Sequence, residues 1–141
     1  MDKALGYLAL ARKAGRIELG EEPVGAAARA KHAWLVVVAS DASDHTWRRA
    51  GSFVAETDQQ RVRVPYTKDE LGMSVGRTSL AVAAITDPAM ALAFLQALEH
   101  NDRYTDAMES LTKRTTRIRK HQQEEKAHLR KTRRKAVGKK N

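Results

Sequence analysis

Two uninterrupted apolar segments constrain the fold of this chain more than any other feature of its sequence. Residues 34–39 read Trp-Leu-Val-Val-Val-Ala and residues 80–85 read Leu-Ala-Val-Ala-Ala-Ile. Short apolar runs without alternation are typical of strands that are buried on both faces. A sheet with both faces buried needs helices on both sides, so these two segments predict a layered α/β protein.

The rest of the first hundred residues supplies those helices and two shorter strands. Several helix starts carry a capping residue, as Ser43 does, and Thr67-Lys68-Asp69-Glu70 has the pattern of a capping box. Asp87-Pro88 combines a cap with a proline at the first helical position. The predicted elements, in chain order, are helix 2–15, strand 16–20, helix 21–32, strand 34–39, helix 43–58, strand 61–66, a short helix from 67 that stops near 72–76, strand 80–85 and helix 87–99. Their alternation predicts an α/β/α sandwich around a small, largely parallel or mixed sheet.

The surplus positive charge lies entirely in the last 41 residues. Residues 1–100 contain 12 Lys and Arg against 12 Asp and Glu, whereas residues 101–141 contain 14 against 5, a net of +9. A neutral body with a basic extension predicts two parts, a domain over 1–100 and a tail over 101–141. Nucleic acid is the expected partner of such a tail, and an anionic membrane surface is the weaker interpretation.

Within the tail, Tyr104, Met108, Leu111 and Ile118 fall on one helical stripe. This spacing predicts a helix from 102 to about 120, followed by a weakly helical or disordered end. The stripe would either pack on the body or anchor a partner protein. The predicted phosphate contacts of the tail are Lys113, Arg114, Arg117, Arg119, Lys120, Arg130, Lys131, Arg133, Arg134 and Lys135.

No enzymatic or metal site is expected. Gly72 to Thr78 differs from a phosphate-binding loop in spacing and has Arg77 in place of lysine. The five histidines lack ligand-like clustering, and the absence of cysteine excludes disulfides and thiolate metal sites. The N-terminus lacks a signal-peptide layout, and Asp87-Pro88 interrupts the longest apolar stretch. We therefore expect a cytoplasmic protein with no cofactor and no membrane association.

The order of motifs in the body resembles a known family. The residues that carry the resemblance are 8–16 (Leu-Ala-Leu-Ala-Arg-Lys-Ala-Gly-Arg), 20–22 (Gly-Glu-Glu), 35–43 (Leu-Val-Val-Val-Ala-Ser-Asp-Ala-Ser), 64–66 (Val-Pro-Tyr), 68–72 (Lys-Asp-Glu-Leu-Gly) with 76–77, and 84–87 (Ala-Ile-Thr-Asp). As an ordered set they resemble the ribosomal protein superfamily of the large-subunit proteins L-seven-Ae and L-thirty-e, especially its bacterial YlxQ-type branch. The resemblance implies a three-layer sandwich with a four-stranded mixed sheet. It also implies non-catalytic binding of structured RNA, notably kink-turns.

In this family, RNA lies against the start of the second helix and the loop before the last strand. Carried over, these places are Gly20, Glu21 and Glu22, with Lys31 near the same face, and Gly76, Arg77, Thr78 and Ser79. Only the glycine matches at the first place, because Glu22, Pro23 and Ala26 stand where the family has asparagine, glutamate and lysine. Glutamate accepts hydrogen bonds but does not donate them as asparagine does.

The sequence is compatible with three functions. The first is an RNA-binding protein, expected as a monomer, with ribosomal or other structured RNA and ribosomal proteins as partners. The second is a protein-interaction module that docks through the sandwich and the 104–118 stripe. The third is a substrate-recognition domain acting in trans with an RNA methyltransferase.

Overall fold

The computed structural model describes residues 2–138 of the chain, with side chains through Arg133. Its elements are α1 (Lys3–Lys13), β1 (Ile17–Leu19), α2 (Glu21–Arg29), β2 (Leu35–Val38), α3 (Asp44–Val54), β3 (Gln60–Arg63), α4 (Lys68–Ser74), β4 (Val82–Ile85), α5 (Pro88–Ala97), a 3-10 turn (Asn101–Tyr104) and α6 (Thr105–Gly138). Among the helices of this described part of the chain, none has the length and hydrophobicity that a membrane-spanning helix requires.

The four strands form one mixed sheet in the order β1-β4-β2-β3. β4 pairs antiparallel with both β1 and β2, and β2 pairs parallel with β3. Consequently β1, β2 and β3 end, and β4 begins, at the same end of the sheet. We call this the Gly20 end, because Gly20 directly follows β1 there, and its amide donates to the Val82 carbonyl at 3.0 Å.

Helices cover both faces of the sheet. α2 and α3 pack together on one face, while α1 packs against α4 and α5 on the other. The apolar runs predicted as buried strands form β2 and β4, and every residue of these two strands is buried. In β3 only Val62 is buried, as expected for a strand covered mainly on one side. The α/β/α sandwich with a four-stranded mixed sheet is confirmed.

The predicted caps form as the sequence indicates. The Ser43 hydroxyl accepts from the Thr46 amide at 3.1 Å, and Asp87 accepts from Met90 at 2.9 Å. Thr67 and Glu70 form both bonds of a capping box. These side chains satisfy amides that a helix start leaves unpaired, so they fix where α3, α4 and α5 begin.

The boundary between body and tail lies further along the chain than predicted. The first compact unit ends at Leu111, and the second comprises residues 112–141. Ala107 and Leu111 are buried, and Tyr104 and Met108 pack against the core from α6 and the turn before it. The apolar stripe therefore belongs to the body up to Leu111, which explains why residue 100 is not the limit of the domain.

The helix predicted to end near residue 120 continues to Gly138. The segment after residue 120 contains glutamine, glutamate, lysine, alanine, leucine and arginine, which all have high helix propensity. It also contains no proline, and its first glycine is Gly138 itself. His121 and Glu125 add an (i, i+4) pair, with Nε2 and Oε1 2.9 Å apart. The strong charge of this segment suggested disorder, but local propensity favours the helix.

Tyr66 makes the stability of the body sensitive to alkaline pH. Burial and the hydrogen bond to Asp2, 2.7 Å long, raise the pKa of Tyr66 above its ordinary value of 10.0. Above that value the unfolded chain loses the phenolic proton while the folded chain keeps it, so the free energy of unfolding falls as pH rises. We expect Tyr66→Phe to be less stable at neutral pH and to show a shallower decline above about pH 10 in denaturant titrations. Parallel declines in both proteins would contradict this assignment.

Candidate nucleic-acid interface

The structure brings the two predicted RNA-contacting loops of the body together at the Gly20 end of the sheet. Gly20 caps α2 with φ at +94°, a conformation that favours glycine. A Cβ at this position would lie 3.9 Å from Nη1 of Arg77, so the guanidinium of the second loop reaches the start of α2. Because Thr78 and Ser79 are also exposed, the two loops form one continuous polar surface.

The Gly76–Arg77 loop is built on the end of α4. The Arg77 amide donates to the Gly72 carbonyl at 2.8 Å, and the Gly76 amide donates to the Met73 carbonyl at 3.4 Å. Gly76 has φ at +77°, so this is the Schellman arrangement that ends many helices. The glycines of this segment therefore close a helix C-terminus. A phosphate-binding loop requires a helix N-terminus instead.

The acidic residues at the start of α2 differ in their availability. Glu21 forms an ion pair with Arg49 of α3 through Oε1, an oxygen that is shielded from solvent. Glu22 is exposed. Both lie in the first turn of α2, where a carboxylate interacts favourably with the helix dipole and stabilises the helix. The same negative charge repels an approaching phosphate. Sequence reasoning missed Arg49, because only the packing of α3 on α2 brings it to Glu21.

Lys31 lies away from the other predicted body residues. It follows the C-terminus of α2, a helix that begins directly after Gly20 and runs for nine residues, or about 13 Å. The chain then enters β2 at the end of the sheet opposite to Gly20, where the Trp34 amide donates to Ile85. Lys31 is expected near the face of the Gly20 and Arg77 loops, but the direction of α2 places it at the other end of that helix.

The second unit carries a continuous row of cations. Arg119, Lys126, Arg130 and Arg133 are all exposed, and their spacing of seven, four and three residues places them within an arc of about 60° on the helix. The row extends about 21 Å along the helix axis. We call these four residues the cationic stripe. The roughly opposite face carries the His121–Glu125 pair, together with Glu124 and His128.

Arg114, one of the predicted phosphate contacts of the tail, is buried. Arg114 is only 7 % exposed, so its guanidinium is not a surface group that meets a phosphate freely. Exposed predicted contacts of the tail include Lys113, Arg117, Lys120 and Lys131. Arg134 and Lys135 lie outside the residues whose side chains are described, and they stay predictions.

Most of the apolar stripe that was considered as an anchor for a partner protein packs against the core of the body. Leu111 is 1 % exposed, and Tyr104 and Met108 are partly buried against the core. Ile118 is 41 % exposed. Three of the four stripe residues thus stabilise the chain's own fold, which leaves the protein-interaction alternative with one exposed apolar side chain from this set.

Within the described part of the chain, no group of three or more histidine, aspartate or glutamate side chains is placed to hold a metal ion. The exposed surfaces at the predicted sites are the cationic face of the C-terminal helix and the polar loops at Gly20 and Arg77. This arrangement can hold phosphate groups through charge and hydrogen bonds, since guanidinium groups and ammonium groups are both efficient phosphate partners.

Comparisons with known proteins identify the fold. Neither a family model nor a curated protein matches the sequence. A solved structure of a protein of unknown function from Bacillus halodurans is similar with a TM-score of 0.64 and 25 % identity, covering 69 % of this chain and 97 % of the other. A Giardia lamblia 15.5 kD RNA binding protein is similar with a TM-score of 0.56 and 16 % identity, covering 72 % and 86 %. The body thus has a fold that is also found in an RNA-binding protein.

Proposed function

We propose that this protein binds structured RNA without catalysing a reaction, and that the helix after Leu111 supplies most of the affinity. The observation that carries the proposal is the charge of the two compact units. Residues 1–111 contain 13 basic and 15 acidic residues, a net of −2, whereas residues 112–141 contain 13 and 2, a net of +11. Such a segment releases counterions from RNA at every phosphate that it contacts.

The shape of the second unit supports this role. The cationic stripe places four exposed cations on one face of a helix, whereas a disordered chain would scatter them. A helix that is already formed loses less conformational entropy on binding than a segment that folds at that moment. The stripe therefore suits the phosphates that border an RNA groove.

The body is proposed to position this charge on its target. Its fold is shared with the Giardia RNA binding protein, and the loops at Gly20 and Arg77 form one polar surface. Glu22 and Pro23 replace the base-reading residues expected from the family resemblance. We propose that this surface recognises RNA shape, of the ribosomal or kink-turn type, and makes few contacts to base edges.

The test replaces the cationic stripe with glutamine, which keeps the helix propensity and removes four charges. Binding to a kink-turn hairpin and to a plain hairpin of equal length is measured between low and moderate salt. We expect the slope of log affinity against log salt to fall by about 3 for both RNAs.

The matched control removes four exposed cations of the body, by glutamine substitution at Arg12, Lys13, Arg16 and Arg48. This control variant is expected to change the slope much less than the stripe variant does. Equal slopes in the two variants would overturn the proposed role of the helix. Absence of binding to either RNA by the unsubstituted protein would overturn the function itself.

A further inference from the structure

Two arginines of the edge strand β3 share one aromatic ring. The guanidinium carbons of Arg61 and Arg63 lie 3.6 and 4.9 Å from the centroid of the Trp47 ring. Both residues are partly exposed, as is Trp47. The indole attracts each cation, but it does not cancel the repulsion between them.

The chain builds a fixed position for the first of these arginines. Nη1 of Arg61 donates to the Trp47 carbonyl at 2.7 Å. Gly51, one turn further along α3, leaves room for the same group, because a Cβ there would collide with Nη1 of Arg61. With a larger residue at position 51 the guanidinium of Arg61 would have to move away from its present place.

The second arginine is held over the end of the neighbouring strand. Nη1 of Arg63 donates to the Ser40 carbonyl at 3.1 Å and to the Ala42 carbonyl at 3.3 Å. Each guanidinium has five N–H donors, so the recorded bonds of Arg61 and Arg63 leave several donors for another acceptor.

No carboxylate of the described residues forms an ion pair with either arginine. Their recorded hydrogen-bond partners are neutral main-chain carbonyls. Burial, and then the charge of Arg63, lower the pKa of Arg61. Two cations are thus held together and partly shielded from water, and no described carboxylate pairs with them, which is an arrangement that an anion stabilises.

We propose that Arg61, Arg63 and Trp47 form a binding site for a phosphate group, presented by a nucleic-acid backbone or as free phosphate. Phosphate oxygens match the fork geometry of guanidinium groups. Two cations suit the charge of free phosphate, and they also attract the single negative charge of a backbone phosphodiester. This site lies on the body and does not involve the C-terminal helix. Because inorganic phosphate can serve as the probe, the site can be tested separately from the proposed binding of RNA by that helix.

Trp47 itself reports on the site. The sequence contains two tryptophans, Trp34 and Trp47, and Trp34 is buried. In the full chain carrying Trp34→Phe, the fluorescence of Trp47 is followed during titration with inorganic phosphate at constant ionic strength, and separately with an RNA hairpin. We expect a saturable change, and we expect Arg63→Gln to weaken the apparent affinity by about tenfold or more, as for the loss of a charge-assisted hydrogen bond.

Two further variants make the result decisive. Arg48→Gln removes an exposed cation next to Trp47 in the sequence and is expected to titrate like the parent. Arg63→Lys keeps the charge and loses the fork, so it is expected to bind more weakly than the parent. This variant takes the place of Arg63→Gln in the comparison if Arg63→Gln does not fold. Saturation by RNA alone assigns the site to a nucleic-acid backbone, and saturation by phosphate alone assigns it to the free anion. No saturable change with either probe, or equal affinities for the parent and the Arg63 variants, would overturn the proposal.

Discussion

A chain that ends at Leu111 is expected to remain folded and to lose most of its affinity for RNA at low salt. The truncation changes the net charge from +9 to −2 while it retains the buried residues Ala107 and Leu111. A protein with six or more phosphate contacts loses an affinity factor of about a thousand or more between roughly 50 and 200 mM salt, and the truncated chain should lose most of this salt dependence. Circular dichroism measures the fold, and salt-dependent titration of a structured RNA measures the loss.

A chain that ends at residue 100 is the informative comparison. It removes the same cations but also Tyr104, Ala107, Met108 and Leu111, which contact the core of the body. Loss of Leu111 alone corresponds to removal of a large buried side chain, which costs about 2–5 kcal/mol. We therefore expect the shorter chain to be far less stable than the chain that ends at Leu111. If the longer truncated chain unfolds, or keeps the parental salt slope, the division of roles between body and helix is wrong.

The elements of the body could be predicted because their signals are local. Ser43 bonds an amide three residues away, and the Thr67–Glu70 pair satisfies two amides within one turn. The β2 and β4 segments are buried on both faces, so their composition alone distinguishes them from an alternating strand. Predictions of this kind need no knowledge of what packs where.

The limit of the body could not be predicted in the same way. Leu111 and Ile118 are one heptad apart and occupy nearly the same helical phase, yet the first is buried and the second is exposed. Periodicity identifies the apolar face of a helix, but it does not show how many turns of that face pack against the rest of the protein. Gln59 is a polar residue whose burial could not be predicted from its type. Its side-chain amide accepts from the Ala33 amide and donates to the Ala28 carbonyl, and these bonds allow it to lie inside the body.

Only part of the candidate site could be predicted. The proximity of Gly20 and Arg77 followed from the family resemblance, since these residues are 57 positions apart in the sequence. Lys31 was placed wrongly because nearness in sequence does not give the direction of α2. The pair of arginines on Trp47 was not predicted at all, because β3 alternation suggested only that the two face the same side.

Gly72→Ala is expected to separate the Arg77 loop from α4. A Cβ at Gly72 would lie 2.7 Å from the Ser79 nitrogen and 2.9 Å from the Arg77 carbonyl oxygen, and both of these contacts are with backbone. The loop must therefore move, which weakens the bond from the Arg77 amide to the Gly72 carbonyl. Overpacking of this kind costs about 1–3 kcal/mol, and denaturant unfolding measures the loss.

Gly6→Ala is the matched control for this substitution. Gly6 also lies inside a helix, but a Cβ there would meet no atom within 4 Å. The control is expected to stabilise the protein by about 0.5–1 kcal/mol, because alanine has the higher helix propensity. The two alanine substitutions thus change the free energy of unfolding in opposite directions if α4 holds the loop by close backbone contact. If Gly72→Ala is neutral or stabilising, that contact does not fix Arg77 beside Gly20, and the body surface proposed to position the RNA loses its structural basis.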